Sequence, residues 1–463
     1  MGVRFAILIP RTKMAVLTAN LTSTVETLLE NKRYNSVKDI LVTLNEVDIA
    51  AILDDQPPQR QIILFRLLPK ELAADVFVEM EHESKELLIN AFSDSELSDL
   101  VSELYLDDAA DIVEEMPANV VKRILRQADP QTRKKINELL NYPEDSAGSL
   151  MTPDFVDLSP NLTAGEALNA IRRRGVDKET VDICYVVEKR KLLGEISLRT
   201  LVLADSSAQV SELMDENVIS ANTHDDIENA AEKFARYGLT AMPVVDGENR
   251  LVGIITVDDA IDVMREETTE DIEKMAAVTP ADKSYTKLTV FDIYKNRIPW
   301  LMLMMISAVF TQLIIGKFEA ALAAQIVLTS FIPMLMDTGG NSGSQASVTI
   351  IRSLSLGEVQ FSDIFRVIWK EIRVAVLCGA SLAAVSFAKL MLIDRVGLMV
   401  ALTVSLTLIV TVAIAKFVGC SLPLIVKKIG LDPAVMASPI ITTLVDAIAL
   451  LVYFGLATSL LGI

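Results

Sequence analysis

The sequence predicts a multidomain chain: an α-helical superhelical N-terminal domain, a tandem pair of α/β repeats, and an all-α five-helix transmembrane domain. Three observations predict it. Charge is divided along the chain: residues 1–294 hold about 54 acidic and 31 basic side chains, residues 295–463 about 8 and 12. The second part instead carries apolar runs long enough to cross a bilayer, which takes about twenty residues at roughly 1.5 Å each. Between the two, a pattern of strand-like and helix-like segments occurs twice. At 463 residues and 51% hydrophobic content, the chain exceeds one soluble domain.

Residues 1–20 are expected to be an N-terminal extension. The start, MGVRFAILIPRTKMAV, has a short apolar run broken by Pro10, no cleavage pattern, and Ala6 where a myristoylation motif needs Ser or Thr. Met14 is expected to be the true first residue. Residues 21–142 form the helical domain, with Leu, Ile and Val every three or four positions and breaks at Pro57-Pro58, Pro69, Pro117 and Pro130. DIAAILDDQPPQRQIILFRLLP is echoed by DDAADIVEEMPANVVKRILRQADP, and repeated helix pairs sharing a buried face suggest a small superhelical array. A linker follows at 143–149, marked by YPEDSAG.

Residues 150–266 hold the repeat, in copies 150–204 and 213–266. LMTPDFVDLSPNLTAGEALNAIRRRG parallels LMDENVISANTHDDIENAAEKFARYG, and ICYVVEKRKLLGEISLRTLVLA parallels AMPVVDGENRLVGIITVDDAIDVM. Each copy reads as strand, helix, two strands with a turn, and helix. With PVVD, GIIT and VDD as signatures, it resembles a tandem pair of CBS domains. Such pairs often bind adenosine nucleotides through a Ser or Thr three residues before an Asp. The second copy offers Thr256 and Asp259 for ATP; the first has Ser197 and Thr200 and no Asp.

A strongly acidic front repels nucleic-acid phosphates, so nucleic acid is not an expected partner; cations are. Cys184, Cys378 and Cys420 lie far apart without CxxC spacing, and His82 and His224 are the only histidines. That argues against a disulfide framework, a thiolate site or histidine-based chemistry. No nucleophile–base pair or phosphate loop is present, so an enzyme is the least favoured class.

Residues 267–297 are expected to form an acidic and connecting (plug) helix, with the connecting part at Ser284–Asn296. In VDDAIDVMREETTEDIEKMAAV, Asp259, Asp262, Glu266, Glu270 and Glu273 fall on one helical stripe, flanked by Glu267 and Asp271. Like charges at that spacing destabilise a helix by a few tenths of a kcal/mol per pair. Arg265 and Lys274 are the only basic residues from 259 to 282. A solvated acidic face is one reading. The other is divalent cations, hard ions that take oxygen ligands, with Mg²⁺ keeping several waters and using one or two carboxylates. Asp107 and Asp111, beside Asp108, Glu114 and Glu115, offer a second acidic face. Two such faces meet only with cations between them, which would make a cation-dependent clasp.

Residues 298–463 are expected to span the membrane five times, at about 298–316, 320–351, 372–393, 398–425 and 433–461. Lys295, Arg297, Arg352 to Arg373, Lys427 and Lys428 lie on one side; Lys317, Lys389 and Arg395 lie on the other. The positive-inside rule then places the N-terminus in the cytoplasm and the C-terminus outside. The second segment continues into PMLMDTGGNSGSQASVTII, too polar for a lipid-facing helix. Pro333, Gly339, Gly340 and Gly343 are expected to loosen its backbone, which membranes tolerate only against protein or water; close packing through small residues is the rival reading. The fifth segment has one charge between Pro433 and Leu461, Asp446. A carboxylate at that depth marks an ion pathway by default, and a structural pair with Lys416 is the alternative.

These motifs resemble the MgtE-type magnesium channel family over essentially the whole chain. Its most specific matches are Pro333…Gly339-Gly340-Asn341-Ser342-Gly343-Ser344-Gln345 and Pro439-Ile-Ile-Thr442-Thr443-Leu-Val-Asp446. The resemblance implies a multi-pass homodimer in lipid at the plasma (inner) membrane. Mg²⁺ would be both substrate and regulator, with the pore between protomers. It makes Asp446 the pore aspartate and the Gly-Gly-Asn stretch pore-lining. Asp107, Asp111, Asp259, Asp262, Glu267, Glu270 and Asp271 match its regulatory magnesium positions. Gly238 stands where some members carry an acid near the CBS interface, a departure that bears on one regulatory site. A largely hydrated ion is expected at Gly340 and Asn341 oxygens, Thr442, Thr443 and Asp446, with closure by cytosolic Mg²⁺. A nucleotide-regulated transporter of another substrate and a non-transporting membrane receptor are the rival functions.

Overall fold

The structure, a computed structural model, describes residues 11–281, 285, 288–436 and 438–462. The expectations for residues 1–10, and part of the connecting segment near Ser284, lie outside the described residues. The chain divides into two compact units, up to Met264 and from Arg265 onward.

The first unit begins with helices of mostly eight to ten residues, because polar caps and prolines recur at that interval. Asn45 caps Glu46–Asp54 by accepting from the Val47 amide. Ser93 and Glu96 form a capping box at Asp94–Glu103, and Asp129 accepts from the Gln131 and Thr132 amides ahead of Pro130–Leu139. Each cap satisfies amides that a helix start leaves open. The echoed sequences become corresponding helix pairs, Glu46–Asp54 with Pro58–Phe65 and Leu106–Glu115 with Ala118–Gln127. Their Ile, Leu and Val positions, among them Ile49, Ile52, Leu53, Leu64 and Ile124, are buried together.

Each α/β repeat folds into a three-stranded sheet. In the first, β1 (Asp157–Leu158) runs parallel to β2 (Ile183–Glu188), which is antiparallel to β3 (Lys191–Ser197). In the second, β4 (Ala221–Asn222), β5 (Ala241–Val245) and β6 (Leu251–Thr256) repeat that order. The helices Ala164–Arg174 and Ile227–Tyr237 fill the parallel crossovers. Gly238 ends the second of these with φ of 65°. A glycine is favoured at that left-handed cap, which gives the departure at this position a backbone reason.

β6 leads directly into a 19-residue helix, Val257–Met275. The acidic stripe therefore lies on one helix that continues the last helix of the second repeat, as its spacing predicts. The connecting segment also differs from a separate helix. Thr289 and Asp292 make a capping box, and one helix then runs from Val290 to Lys317. Pro299 lies inside that helix, so the connecting part and the first apolar segment are one element.

The second unit contains five long helices: Val290–Lys317, Ile332–Ser355, Ile364–Leu392, Leu398–Lys428 and Ser438–Leu461. Four are long and apolar enough to cross a membrane; the second, Ile332–Ser355, is not among those four. The apolar run before it, expected to belong to the same span, is split into a short helix, Glu319–Ala324, and a 3-10 turn, Ile326–Phe331. Tyr453 of the fifth helix ties down that turn by donating to the Leu328 carbonyl at 2.9 Å. The second helix packs against the fourth and fifth. At its C-terminal end, Lys427 donates to the Leu354 carbonyl at 3.2 Å, which also accepts from the Gly357 amide.

Candidate functional site

The second helix is regular through its glycines. The loosened backbone expected from Pro333, Gly339, Gly340 and Gly343 is not present, for two reasons. Pro333 falls in the first turn, where a helix needs no amide hydrogen. The glycines face close neighbours: a Cβ at Gly339 would meet Thr411 Cγ2 at 2.7 Å, at Gly340 Thr442 Cγ2 at 2.7 Å, and at Gly343 Ile441 Cγ2 at 2.8 Å. They let the fourth and fifth helices approach, as small residues do in bilayers. The Gly340 carbonyl is thus engaged in the helix and offers only its second lone pair.

The opposite side of the same helix is polar. Asp337, Asn341 and Gln345 are each four residues apart and exposed, so they form one stripe. Asn341 Nδ2 donates to Asp337 Oδ1 at 3.1 Å. Ser344, half-buried beside the stripe, lies 3.4 Å from the Thr442 hydroxyl. Asp446 is half-buried in the fifth helix, and its Oδ1 is buried without a hydrogen-bond partner.

The alternative pairing of Asp446 with Lys416 is not found. Lys416 instead lies 3.6 Å from Glu371 of the third helix, with side chains 7% and 14% exposed. Asp337 is the carboxylate whose charge bears on Asp446. Thr443 is placed apart from this group. Its hydroxyl donates to the Pro439 carbonyl at 2.9 Å. It lines a largely apolar cavity of about 350 Å³ shared with Trp300, Leu303 and Met304 of the first helix. Thr442 stands beside Gly340 and Ser344, so Gly340 and Thr442 lie at the contact of the second and fifth helices, while Asn341 lies on the exposed stripe with Asp337.

The first unit gathers its own carboxylates. Asp107 and Asp108, at the start of Leu106–Glu115, meet Asp259 at the start of the acidic helix and Glu179 in the turn before β2. Burial, then the neighbouring Asp259 charge, pushes Asp107 up to about 6, and its Oδ1 is buried without a hydrogen-bond partner. Burial, then Asp107, Asp111 and Glu179, pushes Asp108 up to about 8. Burial, then Asp107 and Asp259, pushes Glu179 up to about 7. Asp259 is raised chiefly by burial, although it accepts from the Thr256 hydroxyl at 2.6 Å. Asp262, exposed on the next turn, bears instead on Glu79, whose carboxyl is raised mainly by burial. Among the described residues, no three acids converge closely enough to hold one ion directly.

Thr256 and Asp259, the expected nucleotide pair, thus bond each other inside an acidic cluster. The first repeat places Ser197 and Thr200 2.8 Å apart in the same position.

In the second unit, Glu267, Glu270 and Asp271 are half-buried. Glu270 is paired with Lys274, which also contacts Asp432 at 2.7 Å. The sequence suggested a stripe with little positive charge, but Lys274 supplies a cation to this end of it. Burial, then Asp432, raises the Asp271 carboxyl. Glu179 and Asp432 were not singled out; each lies in a loop without an acidic spacing pattern, so only tertiary proximity reveals it. Asp337 was legible as one of the polar groups of the second segment, though not as a neighbour of Asp446.

Apolar helices joined to a helical domain and a CBS-like pair define a multi-pass membrane protein with a large polar front. The comparisons with known proteins divide the chain the same way. Family models match the MgtE intracellular N domain at residues 44–145, CBS domains at 147–207 and 210–266, and the MgtE divalent cation transporter region at 332–456. The magnesium transporter MgtE of Thermus thermophilus is 35% identical over 431 residues, covering 92% of this chain and 95% of that protein. The Bacillus subtilis magnesium transporter MgtE is 32% identical over 433 residues, covering 93% and 95%. Among solved structures, the cytosolic domain of the Mg²⁺ channel MgtE in complex with ATP matches with a TM-score of 0.50 at 34% identity. It covers 52% of this chain and 99% of that one. The soluble part of a magnesium transporter matches with a TM-score of 0.51 at 27% identity, covering 54% and 99%. The chain belongs to the MgtE family of divalent cation transporters. The two curated relatives are named as transporters and not as enzymes.

Proposed function

We propose that this chain is a magnesium-selective channel or transporter that mediates Mg²⁺ uptake across the plasma membrane as a homodimer. The observation that carries the reading is Asp446: a carboxylate within an apolar helix, one oxygen unpartnered, with Lys416, the basic residue of the preceding helix, placed on Glu371 instead. An anion at that depth is expensive unless a cation visits it. The exposed stripe Asp337, Asn341, Gln345 would be costly against lipid, and a second copy of the chain would enclose it. A two-fold axis there doubles every residue at the contact, so two Asp446 carboxylates would balance one divalent charge. Mg²⁺ sheds water reluctantly. It would pass largely hydrated, its waters donating to Asn341, Thr442 and Asp446 oxygens. The basic loop residues favour a cytoplasmic N-terminus and an outside C-terminus.

Cytosolic Mg²⁺ would close the path by binding between the acidic faces. Asp107, Asp108, Asp111, Glu179 and Asp259 repel one another when bare, and a divalent ion with its waters would bridge them. Asp262 would extend that site by one turn, and Glu267, Glu270 and Asp271 would offer further carboxylates to Mg²⁺ in the second unit. Closure requires Mg²⁺ to bind the closed arrangement more tightly than the open one. The ATP complex of a relative's cytosolic domain raises nucleotide binding for this chain, but Thr256 and Asp259 sit among acids that would repel phosphates. We read that pair as part of the cation sensor.

The test is Mg²⁺ uptake into vesicles reconstituted with the wild type or Asp446→Asn. Loss of nearly all uptake with retained folding is expected. Ordinary uptake by the variant would refute the reading.

A further inference from the structure

The hydrogen bond between Asn341 and Asp337 carries a consequence for which ion can pass. Asn341 Nδ2 donates to Asp337 Oδ1 at 3.1 Å, one turn away on the same helix. An ionised carboxylate has no proton to donate, whereas an amide has a donor end and an acceptor end. Only the NH₂ end of Asn341 can therefore face Asp337, and the amide oxygen is turned away from it. Both residues are exposed on the polar side of the helix, while the opposite side is held by the glycine contacts.

A hydrated Mg²⁺ presents O–H donors in every direction, because its water oxygens point inward at the metal. A side chain helps such an ion only with an acceptor. An unrestrained amide shows its donor end part of the time and then opposes the ion. We propose that Asp337 is a positioning residue for permeation: it holds the Asn341 amide with its oxygen toward the ion path and so selects a cation that arrives with its water shell. This rests on the reading that ions pass along the exposed polar stripe of the second helix and Asp446.

The probe is hexaamminecobalt(III), a non-exchanging cation whose outer surface consists solely of N–H donors. Its block of Mg²⁺ uptake is measured in vesicles at equal protein density for three chains, wild type, Asp337→Asn and the exchanged pair Asp337→Asn with Asn341→Asp, and uptake alone is measured for Asp446→Asn. Asp337→Asn leaves the 341 amide unoriented, so the concentration for half-block should rise about tenfold, the size of one hydrogen bond to a charged group. The exchanged pair puts a carboxylate, an acceptor only, at 341 and an amide donor at 337. Net charge is restored, and block should return toward the wild-type concentration. A merely structural role predicts no such recovery. Unchanged block in Asp337→Asn, or an exchanged pair no better than Asp337→Asn alone, overturns the inference. Normal uptake by Asp446→Asn would refute the pore reading separately, while the block values of the other chains still decide the role of Asp337.

Discussion

Asp446 and Lys416 illustrate what a single residue can and cannot announce. A lone carboxylate in an apolar run is legible, because its burial is expensive wherever the helix goes. Its partner is not legible, since Lys416 could reach several elements and tertiary packing gives it to Glu371. A buried pair is costly to break from one side, so Lys416 stays with Glu371 and Asp446 keeps an oxygen without a partner. The glycines carry the opposite lesson. Their residue type suggested freedom, yet Gly340 is small because Thr442 is close. Gly340→Ala should therefore push the second and fifth helices apart, at about 1–3 kcal/mol for an overpacked contact. Gly316→Ala, with nothing within 4 Å of the added Cβ, should leave thermal stability and uptake nearly unchanged. Thermal unfolding of the purified variants, with uptake on the same preparations, checks both. Equal effects of the two substitutions would count against the packing role.

Among the elements, the acidic helix Val257–Met275 was readable as a helix and as a stripe of charge, but the partners of its carboxylates were not. Glu179 shows why: it sits in a turn before β2 and joins Asp107, Asp108 and Asp259 only when the repeats fold. Lys274 shows the converse, since its pairing with Asp432 depends on a loop far along the chain. The clustered carboxyls give a pH dependence with a definite sign. Their pKa values are raised on folding, so between the ordinary carboxylate range and about 8 the folded unit holds more protons than the unfolded chain. Metal-free stability then falls as pH rises through that window. Mg²⁺ must displace those protons, so its binding should strengthen with pH. Half-protection of residues 20–270 from protease should need about tenfold more Mg²⁺ at pH 6 than at pH 8. It should weaken in Asp259→Gln combined with Glu267→Gln and Glu270→Gln. Equal protection at both pH values would contradict the carboxylate bridge.

At the scale of the whole molecule, the division into an acidic front and an apolar bundle follows from composition, and the paired repeats follow from self-similarity. The family was legible in the Gly-Gly-Asn and Pro-Ile-Ile-Thr-Thr-Leu-Val-Asp stretches, which the relatives now support. The continuity of Val290–Lys317 was less visible, because one helix carries charged residues at its start and apolar ones afterwards. A net charge of −19, concentrated in the front, suits a device that reads divalent cations.

The most direct measurement is current through the reconstituted protein in a Mg²⁺ gradient, with neither a proton nor a sodium gradient present. Unitary currents carried by Mg²⁺ alone are expected from the wild type and none from Asp446→Asn. Currents of the same size from the variant would contradict the central role of that carboxylate.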